Sequence, residues 1–144
     1  SDPAKQRQVL TGESVNEDED REKFPHFPSS YGRDDWFLIR EKVMYWCLKV
    51  KLIQHPETFG KLLLSTGNRN IVNHNPESDP FWGVVSHDSQ PGLYEGENHL
   101  GILLMKLRDE LISTGENIMV ADPPDVPEFY ILGEMPEILS GKFD

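Results

Sequence analysis

The sequence predicts a predominantly helical α+β fold, and three observations support this prediction. Apolar residues recur at three- and four-residue steps in two long segments, residues 36–54 and 100–113, which is the spacing of amphipathic helices. The candidate strands, such as residues 71–72 and 118–120, are only two or three residues long. With 144 residues, of which 37% are hydrophobic, the chain is long enough for one domain with a buried core.

The amino-terminal part is predicted to form a short helix followed by a long acidic loop. Helix formers follow an early proline from Pro3 to Leu10, and Gly12 marks the end of this helix. Residues 11–33 are rich in Asp, Glu, Pro, Ser and Gly and include the run Glu17–Asp20. A solvated loop is the favoured interpretation of these acids, ahead of a DNA-mimic or protein-docking role.

The first long helix is predicted from Trp36 to Gln54, with Asp34 or Asp35 as its N-cap. Cys47 is the single cysteine and cannot form an internal disulfide. Its large apolar neighbours favour a buried structural thiol over a nucleophile. The expected core stripe of this helix consists of Trp36, Ile39, Val43, Trp46, Cys47, Val50 and Ile53.

A second helix is predicted to begin at Pro56, because proline fits the first helical position, and to end at Gly67. Its expected buried face consists of Phe59, Leu62 and Leu63. Ile71-Val72 follows as a candidate strand.

The third helix is predicted from Leu100 to Ser113, with Gly115 as its stop. Ile118–Val120 is a candidate strand, and ADPPDVPE after it is a stiff polar connector that leads to an extended apolar patch at Phe129–Leu132. The helix is expected to turn Leu103, Leu104, Leu107 and Leu111 inward and Lys106, Asp109 and Glu110 outward.

Composition and spacing argue against several classes of function. A formal net charge of -11 disfavours sequence-blind nucleic-acid binding. The sequence has no apolar run of the roughly 18 residues that a membrane span requires, and its first residues do not read as a secretory signal. The five histidines never fall at the spacing of a helical zinc pair, and phosphate-loop and dinucleotide fingerprints are absent. We therefore expect no metal and no cofactor, and a cytoplasmic location.

The segment from Glu77 to Gly101 carries the most informative chemistry. Asp79 stands three residues before Trp82-Gly83, and a carboxylate beside an indole suits a ligand that has both a ring and a sugar. Cleavage of a glycosidic bond develops oxocarbenium charge that a carboxylate stabilises, so Asp79 is the candidate acid. Taken alone, however, the segment favours a local Asp cap and a Trp core anchor. The nearby acids Glu95 and Glu97 are interpreted as solvent-facing.

The run from Asp35 to Glu110 resembles the NADAR family of NAD- and ADP-ribose-associated domains, which includes the YbiA-like N-glycosidases. The similar elements occur in the family's order and cover a little over half of the chain. They are DWFLIREKVM, KLIQHP, LLLSTGNRNIV, ESDPFWG and GENHLGILLMKLRDEL. SDPAKQR at the amino terminus also resembles the family's short helix before the DW segment.

The resemblance implies a YbiA-like α+β fold and hydrolysis of an N-glycosidic bond in a ribosyl-phosphate or ADP-ribose-like compound. On the family's D-x-x-W-G motif it places Asp79 as the catalytic acid, with Trp82 and Gly83 in the substrate-binding site. Trp36 matches the tryptophan of the DW motif, and Asn98 matches the G-x-N-x-L-G motif together with Gly96 and Gly101. Trp36 and Asn98 are therefore also predicted to bind substrate.

Two departures from the family pattern shape the expectations. A preceding half, with an FSNF-like strand and a Glu-His-Tyr segment that carries a catalytic glutamate, is not found here, so the fold is expected to be incomplete at its amino terminus. The motif also continues after Gly83 with Val84-Val85, where members of the family often have Asp-Gly. We expect a NADAR-like domain at residues 1–116 and a Pro-rich acidic extension at 117–144. The alternative function is an inactive structural or interaction module that binds a protein partner through the acidic loop or the tail.

Overall fold

The structure is a computed structural model that describes residues 33–74, 79–86, 92–114 and 118–142. The predicted helix at 3–10, nearly all of the acidic loop and the stop at Gly115 lie outside the described residues. The described elements are α1 (Trp36–Gln54), a π-helical turn (Pro56–Gly60), α2 (Lys61–Ser65), β1 (Val85–Ser86), β2 (Tyr94–Glu95), α3 (His99–Thr114), β3 (Ile118–Ala121) and β4 (Leu139–Lys142). The predicted mixed α+β class with a helical majority is confirmed.

The chain divides into two compact units. One contains Ser1–Val43 and Asp122–Ile138, and the other contains Met44–Ala121 and Leu139–Asp144. The second unit holds a hydrophobic cluster to which α1, α2, α3 and β3 all contribute. The buried members of this cluster are Leu48, Leu52, Leu63, Leu103, Leu107, Leu111 and Met119.

Helix α1 has the predicted bounds, but its predicted core stripe is partly wrong. Ile39 is buried as expected, whereas Trp36 is 40% exposed and Cys47 is exposed. The residues that enter the cluster of the second unit are instead Leu48 and Leu52. The helix has apolar residues around most of its circumference, so periodicity alone does not select the face that becomes buried.

The segment after α1 begins at Pro56 as predicted, although its first turn is a π-helix and α2 is only five residues long. Leu63 is buried, but Leu62 is 67% exposed, which corrects the predicted face. Gly67 follows the helix with a φ of 54°, a left-handed conformation that suits a glycine helix stop.

Helix α3 extends one residue beyond the prediction at each end, and its face toward Leu103, Leu107 and Leu111 is confirmed. Glu110 is not simply outward, because it accepts hydrogen bonds from Tyr45 Oη at 2.5 Å and Lys49 Nζ at 2.6 Å. The ammonium group of Lys106 also lies over the Tyr45 ring, 4.3 Å from its centroid. These four residues, Tyr45, Lys49, Lys106 and Glu110, are called the Glu110 cluster below.

The strands form two separate antiparallel pairs. Residues Ile118–Ala121 pair with Leu139–Lys142, and Val85-Ser86 pair with Tyr94-Glu95. The strand prediction at Ile118–Val120 is confirmed. The prediction of a strand at Ile71-Val72 is wrong, since these residues belong to no strand and only the nearby His74 forms an isolated bridge, with Val84. Strand β4 was not predicted, because Leu139–Lys142 has only one large apolar residue.

Candidate functional site

Asp79 begins a tight turn that ends at Gly83. Its backbone carbonyl accepts hydrogen bonds from Trp82 N at 2.9 Å and from Gly83 N at 3.0 Å. Its side-chain Oδ1 accepts a third hydrogen bond from Phe81 N at 2.9 Å, an arrangement in which the aspartate side chain imitates a backbone turn. Asp79 is exposed. The candidate acid therefore has a capping role, and its orientation is fixed by the turn that it caps.

The carbonyl groups of this turn receive the first N–H groups of helix α3. His99 N donates to Phe81 O at 3.0 Å, and Leu100 N donates to Trp82 O at 3.2 Å. The first N–H groups of a helix have no partner within the helix, so the turn supplies the acceptors that the helix start requires. The position of Asp79 is thereby tied to α3.

Asn98 joins the helix start to the segment at residues 71–73. Its Oδ1 accepts a hydrogen bond from Asn73 N at 2.9 Å, and its Nδ2 donates to Ile71 O at 3.0 Å. Asn73 in turn donates from Nδ2 to Trp82 O at 3.3 Å. Both ends of the Asn98 amide thus hold backbone, and its φ of 56° is a conformation that asparagine tolerates better than most residues.

Two glycines permit this close packing. A Cβ on Gly96, which has a φ of 140°, would collide with the carbonyl oxygen of Gly83. A Cβ on Gly101 would collide with the carbonyl oxygen of Ile71 and would lie 2.6 Å from Oδ1 of Asn98. The G-x-N-x-L-G motif is therefore explained by close backbone approach. The hydrogen-bonded segments at residues 71–74, 79–86 and 94–101 are called the Asp79 block below.

Aromatic side chains follow the candidate acid in the same turn and at the start of α3. The Phe81 ring is stacked on the imidazole of His99, with 3.9 Å between centroids and 11° between planes, and it makes an edge contact with Trp82 at 4.9 Å. Nε2 of His99 lies 2.9 Å from Oε2 of Glu97. Trp82 is half-buried and also packs against the hydrophobic cluster. The residue whose N–H orients the acid thus also carries the central ring of this aromatic group.

Four of the five predicted site residues come together in the Asp79 block. Asp79 is exposed, Trp82 is half-buried, Gly83 is buried, and the Asn98 side chain holds backbone. The fifth, Trp36, lies at the start of α1 in the other compact unit. Val84, where the motif departs from the family pattern, is buried and donates its N–H to Asn73 O at 2.9 Å.

Sequence reasoning did not identify Asn73, Phe81 or His99 as parts of this block. Phe81 and His99 adjoin the motif residues on either side, so the only available signal was their position beside Trp82 and Asn98. Glu97 is 64% exposed at its side chain, in agreement with its solvent-facing interpretation, yet it contacts His99.

The described residues include no group of three or more His, Cys, Asp or Glu side chains that could hold a metal ion. Among the helices within that same part of the chain, none is both long enough and apolar enough to cross a membrane.

The fold and the Asp79 block define a small α+β protein in which one turn carries an aspartate and two aromatic side chains. The NADAR domain family model matches residues 1–112, so the chain belongs to the NADAR family. N-glycosidase YbiA of Escherichia coli is 34% identical over 113 residues, which are 74% of this chain and 66% of that protein.

Two further relatives extend this comparison. N-glycosidase Npun_R5314 of Nostoc punctiforme is 33% identical over 79 residues, 55% of this chain and 46% of that protein. The riboflavin biosynthesis protein PYRR of Zea mays, a chloroplastic protein, is 39% identical over 82 residues, 57% of this chain and 12% of that protein. The chain thus spans less than two thirds of the length of these relatives. No solved structure matches it significantly.

Proposed function

We propose that this chain is an N-glycosidase domain that hydrolyses the N-glycosidic bond of a ribosyl-phosphate or ADP-ribosyl compound. The main support is the 34% identity to N-glycosidase YbiA over 113 residues, together with the exposed Asp79 in the turn that carries Phe81 and Trp82. The similarity to a riboflavin biosynthesis protein favours a phosphorylated riboflavin precursor as one substrate to test. An ADP-ribosylated guanine base is the other.

In the proposed reaction, the C–N bond breaks and the base leaves with the bonding electron pair and takes up a proton. Water then adds to the anomeric carbon and loses a proton. Positive charge develops on the sugar between these events, and a carboxylate nearby lowers the energy of that state. Asp79 is the residue that would supply this charge. Its Oδ1 is already oriented by Phe81 N at 2.9 Å, so little reorganisation is needed.

The remaining predicted site residues have supporting roles in this proposal. Trp82 offers a half-buried ring against which a base can stack. Asn98 contributes indirectly, because its amide fixes Asn73 and Ile71 and, through Asn73, the Trp82 carbonyl. The role of Trp36 in substrate binding, which its match to the DW motif implies, stays a prediction that the Trp36→Ala variant would test.

A specific observation favours a second candidate function. Oδ1 of Asp79 is used as a turn cap, and a cap is sufficient to explain an aspartate at this position. In that case the chain is a NADAR-derived interaction module whose protein partner binds the acidic loop or the carboxy-terminal tail, and Asp79 has no chemical role.

Two substitutions at Asp79 separate these functions. Asp79→Asn retains an Oδ1 that accepts from Phe81 N but removes the charge, whereas Asp79→Ala removes both. For the glycosidase, Asp79→Asn lowers kcat by about 100-fold or more with a nearly unchanged free energy of unfolding. Asp79→Ala also lowers the free energy of unfolding, by about 1 kcal/mol. Chromatography of the released base measures the change in kcat, and urea denaturation measures the change in the free energy of unfolding.

Asp122→Asn is the matched control, because it removes the same charge from an exposed aspartate directly after β3. We expect it to leave both quantities unchanged. Equal activity of wild type and Asp79→Asn would eliminate the chemical role of Asp79. Absence of base release from both substrate classes by the wild-type chain would favour the interaction module.

A further inference from the structure

We propose that His99, through its stack on Phe81, positions the Asp79 carboxylate for the proposed reaction, and this inference rests on the proposed function. Neither the motif nor the comparisons assign a role to His99 or Phe81. His99 is the first residue of α3, and it contacts the turn of the Asp79 block through both its backbone and its side chain.

Phe81 connects the two residues through three different groups. Its backbone N–H donates to Asp79 Oδ1 at 2.9 Å, and its carbonyl accepts from His99 N at 3.0 Å. Its ring lies flat on the imidazole at 3.9 Å between centroids. The Phe81 ring and the N–H group that orients the carboxylate belong to the same residue. Movement of the ring therefore displaces that N–H group.

The imidazole is itself held in place. Its Nε2 lies within hydrogen-bond distance of Glu97 Oε2, at 2.9 Å, and its side chain is only 26% exposed. The backbone of Glu97 is fixed as well, since its N–H donates to Pro80 O at 2.7 Å. The imidazole that stacks on Phe81 thus has a defined plane. The Glu97 side chain holds its Nε2 edge, and the start of α3 fixes the Cα of His99.

The consequence of losing the stack follows from the geometry. Without the imidazole, the Phe81 ring loses the stacking contact that His99 provides, and the Phe81 N–H is less firmly aimed at Asp79. A displacement of about 1 Å at a reacting group costs up to about 100-fold in rate. The effect should fall on kcat, because Asp79 acts on the charge that develops in the transition state.

Two variants of His99 distinguish stacking from imidazole chemistry. His99→Ala removes the ring, and we expect kcat to fall about 10-fold with KM changed less than about 2-fold. His99→Phe preserves a flat ring on Phe81 and should restore kcat to within about 3-fold of wild type. Ser113→Ala, an exposed position near the end of α3, is the control and should change neither constant.

The Asp79→Asn background tests whether His99 acts through Asp79. If it does, His99→Ala should lower the residual kcat of Asp79→Asn by less than about 2-fold, because residues that act as a unit are not additive. A full additional loss in that background would overturn the proposal. An equal loss in His99→Ala and His99→Phe would overturn it too, since the imidazole nitrogens would then be what matters.

Amide hydrogen exchange at Phe81 tests the positioning without any turnover. We expect exchange of this amide to be about 3- to 10-fold faster in His99→Ala and close to wild type in His99→Phe. Unchanged exchange in His99→Ala would overturn the positioning role even if activity fell. If the wild-type chain releases no base, the proposed function fails, and faster exchange in His99→Ala would still show that His99 holds the Asp79 turn.

Discussion

The Asp79 block and the Glu110 cluster are both hydrogen-bonded, but they are held together by different groups. In the Asp79 block most partners are backbone atoms, and side chains such as Asn98 bridge one backbone segment to another. In the Glu110 cluster, side chains from α1 and α3 meet each other. The comparison indicates that the candidate site depends on backbone shape, whereas the helix pair depends on charge.

The largest expected effects come from adding a Cβ atom where the backbone segments of the Asp79 block approach each other closely. In Gly101→Ala the new Cβ meets the Ile71 carbonyl and the Asn98 amide, and we expect a loss of about 3 kcal/mol in the free energy of unfolding. Gly96→Ala, which combines a collision at Gly83 with a positive φ, should cost about as much. Urea denaturation measures both.

Gly67 provides the control for backbone strain without collision. It also has a positive φ, but a Cβ there meets nothing within 4 Å, so Gly67→Ala should cost only about 1 kcal/mol. If all three variants lost the same stability, the close approach in the Asp79 block would not be the reason for its glycines.

The next effect concerns the amide of Asn98. Asn98→Gly accommodates the φ of 56° and removes only the hydrogen bonds to Ile71 O and Asn73 N, so we expect a loss of about 2 kcal/mol. Asn98→Ala adds backbone strain and should cost about 1 kcal/mol more. Asn70→Ala, at an exposed position, is the control. Full stability of Asn98→Gly would show that the bridge is dispensable.

The difference between the Asp79 block and the Glu110 cluster also explains which features could be predicted from the sequence. The ends of α1 and α3 were predictable, because proline, glycine and apolar spacing are local signals. The grouping of Asp79, Trp82, Gly83 and Asn98 was predictable from motif order. Glycines and asparagine at such positions signal special backbone, although their partners at Ile71 and Asn73 could not be identified without the structure.

Side-chain partners from distant segments were not predictable in the same way. Glu110 was placed on the outward face of α3, and its contacts with Tyr45 and Lys49 depend on how α1 packs. Arg108 is buried and donates to Thr66 Oγ1 and to Arg69 O, each at 2.8 Å. A charged residue inside an apolar stripe becomes buried only if distant acceptors exist, and one sequence does not reveal them. The face of α1 was mispredicted because its apolar residues surround most of the helix, so that the elements packed against it select the buried face.

The smallest expected effect comes from removing the charge of Glu110, and the size of this effect depends on pH. Burial alone would raise the pKa of this carboxyl, but hydrogen bonds from Lys49 and Tyr45 and the nearby lysine charges lower it below its ordinary value of 4.5. A lowered carboxyl pKa gives stability that is present above the unfolded pKa and is lost as pH falls through the folded pKa.

Glu110→Gln should therefore cost about 1 kcal/mol at pH 7, a modest amount because the carboxylate is 34% exposed. The cost should disappear as the pH falls well below 4.5, as urea denaturation across pH 3–7 would measure. Glu57→Gln, which removes an exposed partner of Lys61, should show a smaller and flatter difference. A constant cost for Glu110→Gln at every pH would mean that its shape, and not its charge, holds the two helices.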